Sequence, residues 1–134
     1  MIKIVPDTNI RISSIFWSGK PYQIIRRGLE GEYQLIVSSQ ILDELINKLR
    51  NKFKFPEESI QEFVDILLVY CSVMDPITKL DLVRDKSDNK IIECAYDSKA
   101  DYIVTGDPDL LDIKEYAGIK ILNANNFLNI ISKL

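Results

Sequence analysis

The stretch IVTGDPDLLDI breaks off an apolar run at Gly106 and then sets three aspartates, Asp107, Asp109 and Asp112, within six residues. Acids placed this way either cap a helix or help to hold a cation. Three further acids bear on the choice: Asp7 in VPDTN, Glu44 in SSQILDEL and Asp88 in DKSDNK. Carboxylates are hard oxygen ligands, and a group of them favours Mg2+ or Mn2+ over softer metals.

Composition narrows the chemistry further. The chain has no histidine, which removes Ser–His–Asp and Cys–His nucleophile systems and most catalytic zinc sites, because each needs an imidazole. The two cysteines, Cys71 and Cys94, lack CxxC spacing and fall inside apolar helical patterns, so they read as buried thiols. Any catalysis must therefore rest on carboxylates. The net charge of −3 runs against simple electrostatic nucleic-acid binding, which needs a basic surface. It still allows acids in one pocket with lysines and arginines along its rim. KLRNKFK, residues 48–54, is a local basic stripe of that kind, although it also reads as a solvated helix end.

The elements that must position these acids follow from hydrophobic periodicity. IKIV before Pro6, YQLIVS, YIVTG and IKIL read as buried strands, with a weak one near Val73. Helices are expected over DTNIRISSIFW, from Pro21 to Gly31, after Ser38 or Ser39, after Pro56 with its first-turn acids Glu57 and Glu58, over SDNKIIECAYDSKA, and over DPDLLDI. A last helix carries Phe127, Ile130, Ile131 and Leu134. Alternating strands and helices predict an α/β fold with a mainly parallel sheet, in one domain over residues 1–134. No run of eighteen apolar residues occurs, so no membrane span is expected. The N-terminus has no basic segment leading into a long apolar one, which predicts a cytoplasmic protein.

In an open parallel sheet, ligands bind beyond the carboxyl ends of the strands. Asp7 follows the first strand, Glu44 lies early in the helix after the second, Asp88 opens the helix before YIVTG, and Asp107 follows that strand. A parallel sheet would bring all four to one end. Each has an ordinary reading: Asp88 and Asp107 as N-caps, Asp7 as a turn acid, Glu44 as a solvated residue about 60° from the apolar stripe. Together they would repel and raise one another's pKa unless a divalent cation turned the repulsion into coordination.

PDTN after the first strand, SSQILDEL opening a helix, DKSDNKIIECA and YIVTGDPDLL, in that order over nearly the whole chain, resemble the PIN-domain ribonuclease family, nearest to the VapC-related toxin components of toxin–antitoxin systems. The resemblance implies a three-layer α/β/α sandwich and a nuclease site of three or four acids holding one or two Mg2+ or Mn2+ ions. Asp7, Glu44, Asp88 and Asp107 match its acids, with Asp109 as an auxiliary ligand. Thr8, Asn9 and Thr105 would orient those ligands or the substrate. Asp85 shares the third block, but Asp88 aligns better with the helix start. Lys86 and Ser87 stand where many relatives carry proline and aspartate, which alters the local charge beside the site.

The implied activity is metal-assisted hydrolysis of RNA, with Glu44 orienting the attacking water and an antitoxin and a homodimer as expected partners. Phe16, Trp17 and Tyr22 could stack on unpaired bases, although packing is the more ordinary role for them. A receiver domain would need paired acids after the first strand, and a haloacid-dehalogenase-like phosphatase would need DxD there; Asp7-Thr8-Asn9 provides neither. The remaining alternative is a non-catalytic PIN-like scaffold.

Overall fold

The computed structural model describes residues 1–16 and 18–134. Strand β1 (Lys3–Pro6) is followed by helices α1 (Thr8–Phe16) and α2 (Lys20–Leu29), then by β2 (Gln34–Val37), α3 (Ser39–Asn51), α4 (Glu57–Tyr70) and the short β3 (Ser72–Val73). A polar segment leads to α5 (Lys86–Ser98), β4 (Tyr102–Val104), α6 (Pro108–Ile113), β5 (Glu115–Tyr116), β6 (Ile119–Leu122) and α7 (Ala124–Ile131). The sheet order is β3-β2-β1-β4-β6-β5. Every pairing is parallel except β5 with β6.

Burial explains why the strands show no alternation of polar and apolar residues. Leu35, Ile36 and Val37 are consecutive and all buried, as are Ile4 and Val5, and Ile103 and Val104. Consecutive residues point to opposite faces, so both faces of the sheet are covered by helices, and the fold is an α/β/α sandwich. Helix α5 lies along β1, β2 and β4, while α2 packs on β2 and on α7. The α2 contact depends on Gly28: a Cβ there would stand 2.6–2.8 Å from three carbons of the buried Leu35. Tyr33 and Tyr102 both meet the ring of Phe127 edge-on, joining two strand regions to the last helix.

The expected elements are present, with three differences. A β5–β6 hairpin turns at Ala117 and Gly118, both with positive φ. Leu134 lies beyond α7 and is exposed rather than packed with Phe127 and Ile131. Asp85, not Asp88, caps α5, accepting from the Ser87 amide at 2.8 Å; Asp88 falls in the first turn. Cys71 and Cys94 are buried free thiols, as read from their apolar settings. Among the described residues no helix is long and apolar enough to cross a membrane.

The chain runs outward from β1 to β2 and β3, then returns to the other side of β1 for β4 and β6. The carboxyl ends of β1 and β4 therefore flank the topological switch point, where open sheets of this type bind ligands.

Candidate acidic site at the switch point

Asp7 leaves β1 with its amide still donating to the Val104 carbonyl of β4 (3.0 Å), so its backbone is fixed by the sheet. Its carboxylate is buried. Oδ1 accepts from the Ile10 amide at 2.7 Å, capping α1, and Oδ2 accepts from the Thr105 hydroxyl. Thr105 continues β4 by donating its amide to Leu122, and its hydroxyl oxygen also accepts from the Asp107 amide at 3.0 Å. One hydroxyl thus ties the acid after β1 to the acid after β4. Asp107 is the α6 N-cap, with Oδ1 accepting from the Asp109 amide at 2.8 Å. At Asp107 the cap reading and the pocket position hold together, and Asp7, read as a turn acid, instead caps α1.

Asp7, Thr8, Asn9, Glu44, Asp85, Asp88 and Asp107 line one small cavity of about 70 Å3, with Lys48, Ser87 and Ile91 completing the wall. The four acids placed at one end by sequence do share this mouth. At its edge Asp88 and Asp107 group with Asp109, which lies outside the cavity lining, each contributing one carboxylate oxygen within 4.8 Å of the others. Asp7 and Glu44 face the cavity from its walls. Glu44 is half-buried, accepting from the Thr8 hydroxyl at 3.2 Å and pairing with Lys48 at 3.2 Å. Lys48 also donates to Asn9 at 3.4 Å.

Crowded carboxylates show in their proton affinities. Burial, then the charges of Asp107, Asp85 and Asp7, push Asp88 up to about 7 from an ordinary 3.8. The nearness of the Asp107 carboxylate adds to this, since it favours the protonated Asp88 carboxyl, which can donate to it. Asp7 is also raised, by burial foremost; the Thr105 hydroxyl, the Ile10 amide and the Arg11 charge pull it back. The Asp88 Oδ2 atom is buried and has no hydrogen-bond donor. A buried carboxylate oxygen without a donor is costly, and a divalent cation among hard oxygens would satisfy it. The donor set therefore fits Mg2+ or Mn2+.

Sequence reading overlooked the residues that brace the site. Arg11, 1% exposed, donates from Nε to the Pro6 carbonyl (3.2 Å) and from Nη2 to Ile36 (2.6 Å), joining the ends of β1 and β2 beside Asp7. Buried Asn89 accepts from the Leu82 and Val83 amides and donates to the Val83 carbonyl (2.8 Å), holding the segment that delivers Asp85. Glu93 accepts from Leu80 (2.9 Å), and Asp97 accepts from both the amide and the hydroxyl of Thr78. Of the aromatics, Phe16 packs on Phe53 and Phe55, and Tyr22 lines an apolar groove with Ile25 and Phe63; Trp17 lies outside the described residues.

Comparison with known proteins agrees with this architecture. An uncharacterized protein of Methanocaldococcus jannaschii, MJ1680, is 35% identical over 131 residues, covering 93% of this chain and 82% of that protein. A chain in the crystal structure of VapBC2 from Rickettsia felis, bound to a DNA fragment from their promoter, superposes with a TM-score of 0.66 at 20% identity, covering 91% of this chain and 98% of that one. Residues 3–109 match the PIN domain family, a span containing β1 and β4 and all the acids around the cavity, and the chain belongs to that family.

Proposed function

We propose that the chain acts as a single-domain, metal-dependent endoribonuclease of the cytoplasm and as the toxin component of a toxin–antitoxin pair. The observation that carries the nuclease reading is the Asp88 Oδ2 atom, buried without a donor among three carboxylates whose oxygens lie within 4.8 Å. Asp7, Asp88 and Asp107, with Asp109 as an auxiliary ligand and Glu44 directly or through water, would hold one or two Mg2+ or Mn2+ ions. When bound, such an ion lowers the pKa of a water and stabilises charge on a phosphate and its leaving oxygen.

The protein's own part is positioning. Thr105 and the Ile10 amide fix both oxygens of Asp7, and the α6 cap fixes Asp107. Glu44 reaches the cavity from α3, where it can orient water for in-line attack on phosphorus. No step needs a histidine, in keeping with the composition. RNA as substrate follows from the family resemblance. The resemblance to VapC-related components supports an antitoxin as partner. The exposed side of α4, with Ile66, Val69 and Tyr70, offers apolar surface for it or for a second copy.

The test is purified protein against structured and unstructured RNAs with Mg2+, Mn2+ or EDTA. Cleavage is expected with metal and not with EDTA, and Asp7→Asn should lose turnover while melting like a folded protein. Equal cleavage by that variant would refute the assignment. Metal binding without cleavage of any RNA would favour the scaffold reading.

A further inference from the structure

The cavity does not end at the acids. Glu44 and Lys48 also belong to a shallow trough of about 470 Å3 that continues along the outer face of α3. Asn47 lies beside Lys48 in its wall, and Asn51 and Lys52 lie beyond. These residues recur at i, i+3 or i+4, which puts them in one column on the helix. Asp43 and Gln40 stand at the opposite end, so charge along the column passes from acidic to cationic away from the pocket. Arg50, a third cation of this segment, turns aside to pair with Glu57 at 2.6 Å and leaves the column, and Lys54 lies outside the trough. Lys52 ends it, with Nζ 5.5 Å from the centre of the Phe53 ring, which stacks on Phe16.

We infer that this face of α3 binds the backbone of a single nucleic-acid strand, with Lys48 and Lys52 on successive phosphates and Asn47 and Asn51 as neutral donors, leading the strand into the acidic cavity. The inference rests on the nuclease reading for its direction, but not for its binding test. Three features favour a strand over an acidic protein surface. The lysines are four residues apart, about 6 Å along the axis, comparable to one nucleotide step. The donors form one line rather than a patch, which suits one backbone rather than two. The line begins at the acidic cavity and ends beside aromatic side chains, the residue type that commonly accompanies single-strand binding. Lys48 has a second part: in the free protein it pairs with Glu44 and Asn9, so an incoming phosphate would draw it from Glu44 and release that carboxylate to the cavity. Lys48 and Lys52 are positioning residues.

The experiment is fluorescence anisotropy of a labelled, unstructured RNA of twelve nucleotides in EDTA, across a salt series. Wild type is compared with Lys48→Ala/Lys52→Ala, Lys48→Arg/Lys52→Arg and, as a control for bulk charge, Lys133→Ala. The alanine pair should bind at least tenfold more weakly. Its slope of log affinity against log salt should fall by about 1.4, the counterion release of two single-strand phosphate contacts. The arginine pair should retain most of the affinity, and Lys133→Ala should match wild type. Unchanged affinity and slope in the alanine pair, equal losses in the Lys133 variant, or no binding by wild type would each overturn the inference. RNA binding that depends on the two lysines, without cleavage in Mg2+ or Mn2+, would sink the nuclease reading and leave the track standing. Cleavage and binding that ignore both lysines would do the reverse.

Discussion

The Thr105 hydroxyl donates to Asp7 Oδ2 and accepts from the Asp107 amide, so a single side chain sets the spacing of the two acids that leave β1 and β4. Removing it would strand a buried carboxylate oxygen of Asp7 and the half-buried Asp107 amide at once. Thr105→Val keeps the shape and deletes both bonds. It should cost about 1–3 kcal/mol for each buried group left unmatched, toward the lower end where water can enter. Thr105→Ser keeps the hydroxyl and should recover most of that loss. Because the Thr105 bond is the largest influence pulling the Asp7 pKa down, the valine variant should also bind Mn2+ more weakly, and more so at lower pH. Denaturant melts and calorimetric Mn2+ titrations would read the two effects; a valine variant as stable as the serine one would contradict the role given to the hydroxyl.

The pKa of Asp88 makes a prediction about the metal-free protein. Its folded-state value, about 7, lies above the ordinary 3.8. Between those values the folded state holds a proton that the unfolded chain has released, so stability falls as pH rises through that window. Asp7, also raised, adds in the same direction. In EDTA the melting temperature should therefore drop between pH 5 and pH 8. Asp88→Asn should flatten part of that drop, and Mn2+ should reverse it in wild type but much less in the variant, by mass action on the folded state. A metal-free melting temperature that is constant or rises over this range would show that burial and the neighbouring carboxylates do not raise Asp88 as their placement implies.

Much of this arrangement is readable in the sequence, for identifiable reasons. Strands such as IKIV and YQLIVS are apolar on both faces, and helix starts such as Ser38 and Asp107 carry side chains that accept from the first turn. Once strands alternate with helices, parallel pairing follows, and with it the gathering of Asp7, Glu44, Asp88 and Asp107 at one mouth. What escaped depends on contacts rather than local pattern. DKSD offers two caps three residues apart, and only the Ser87 amide chooses Asp85. The β5–β6 turn is made by Ala117 at φ 51° and Gly118 at φ 84°, without the Asn-Gly or Asp-Gly signal that marks such hairpins. Arg11 sits between Ile10 and Ile12, and a lone arginine ordinarily reads as exposed; two carbonyl oxygens at strand ends hold it inside.

That buried arginine separates geometry from charge. Its fork reaches the Pro6 and Ile36 carbonyls together, and its charge pulls the Asp7 pKa down. Lysine keeps the charge but has no planar fork to span both carbonyls; methionine keeps much of the volume and loses charge and donors alike. Arg11→Lys should destabilise by about 1–3 kcal/mol, the cost of one unmatched buried acceptor, with little change in how Mn2+ affinity depends on pH. Arg11→Met should leave Asp7 protonated to higher pH, so that its Mn2+ affinity is weak at pH 6 and recovers toward pH 8 more steeply than in wild type. Measured by calorimetry at both pH values, identical profiles for the methionine variant and wild type would mean that Arg11 supports the strand ends alone and has no hand in the charge of the pocket.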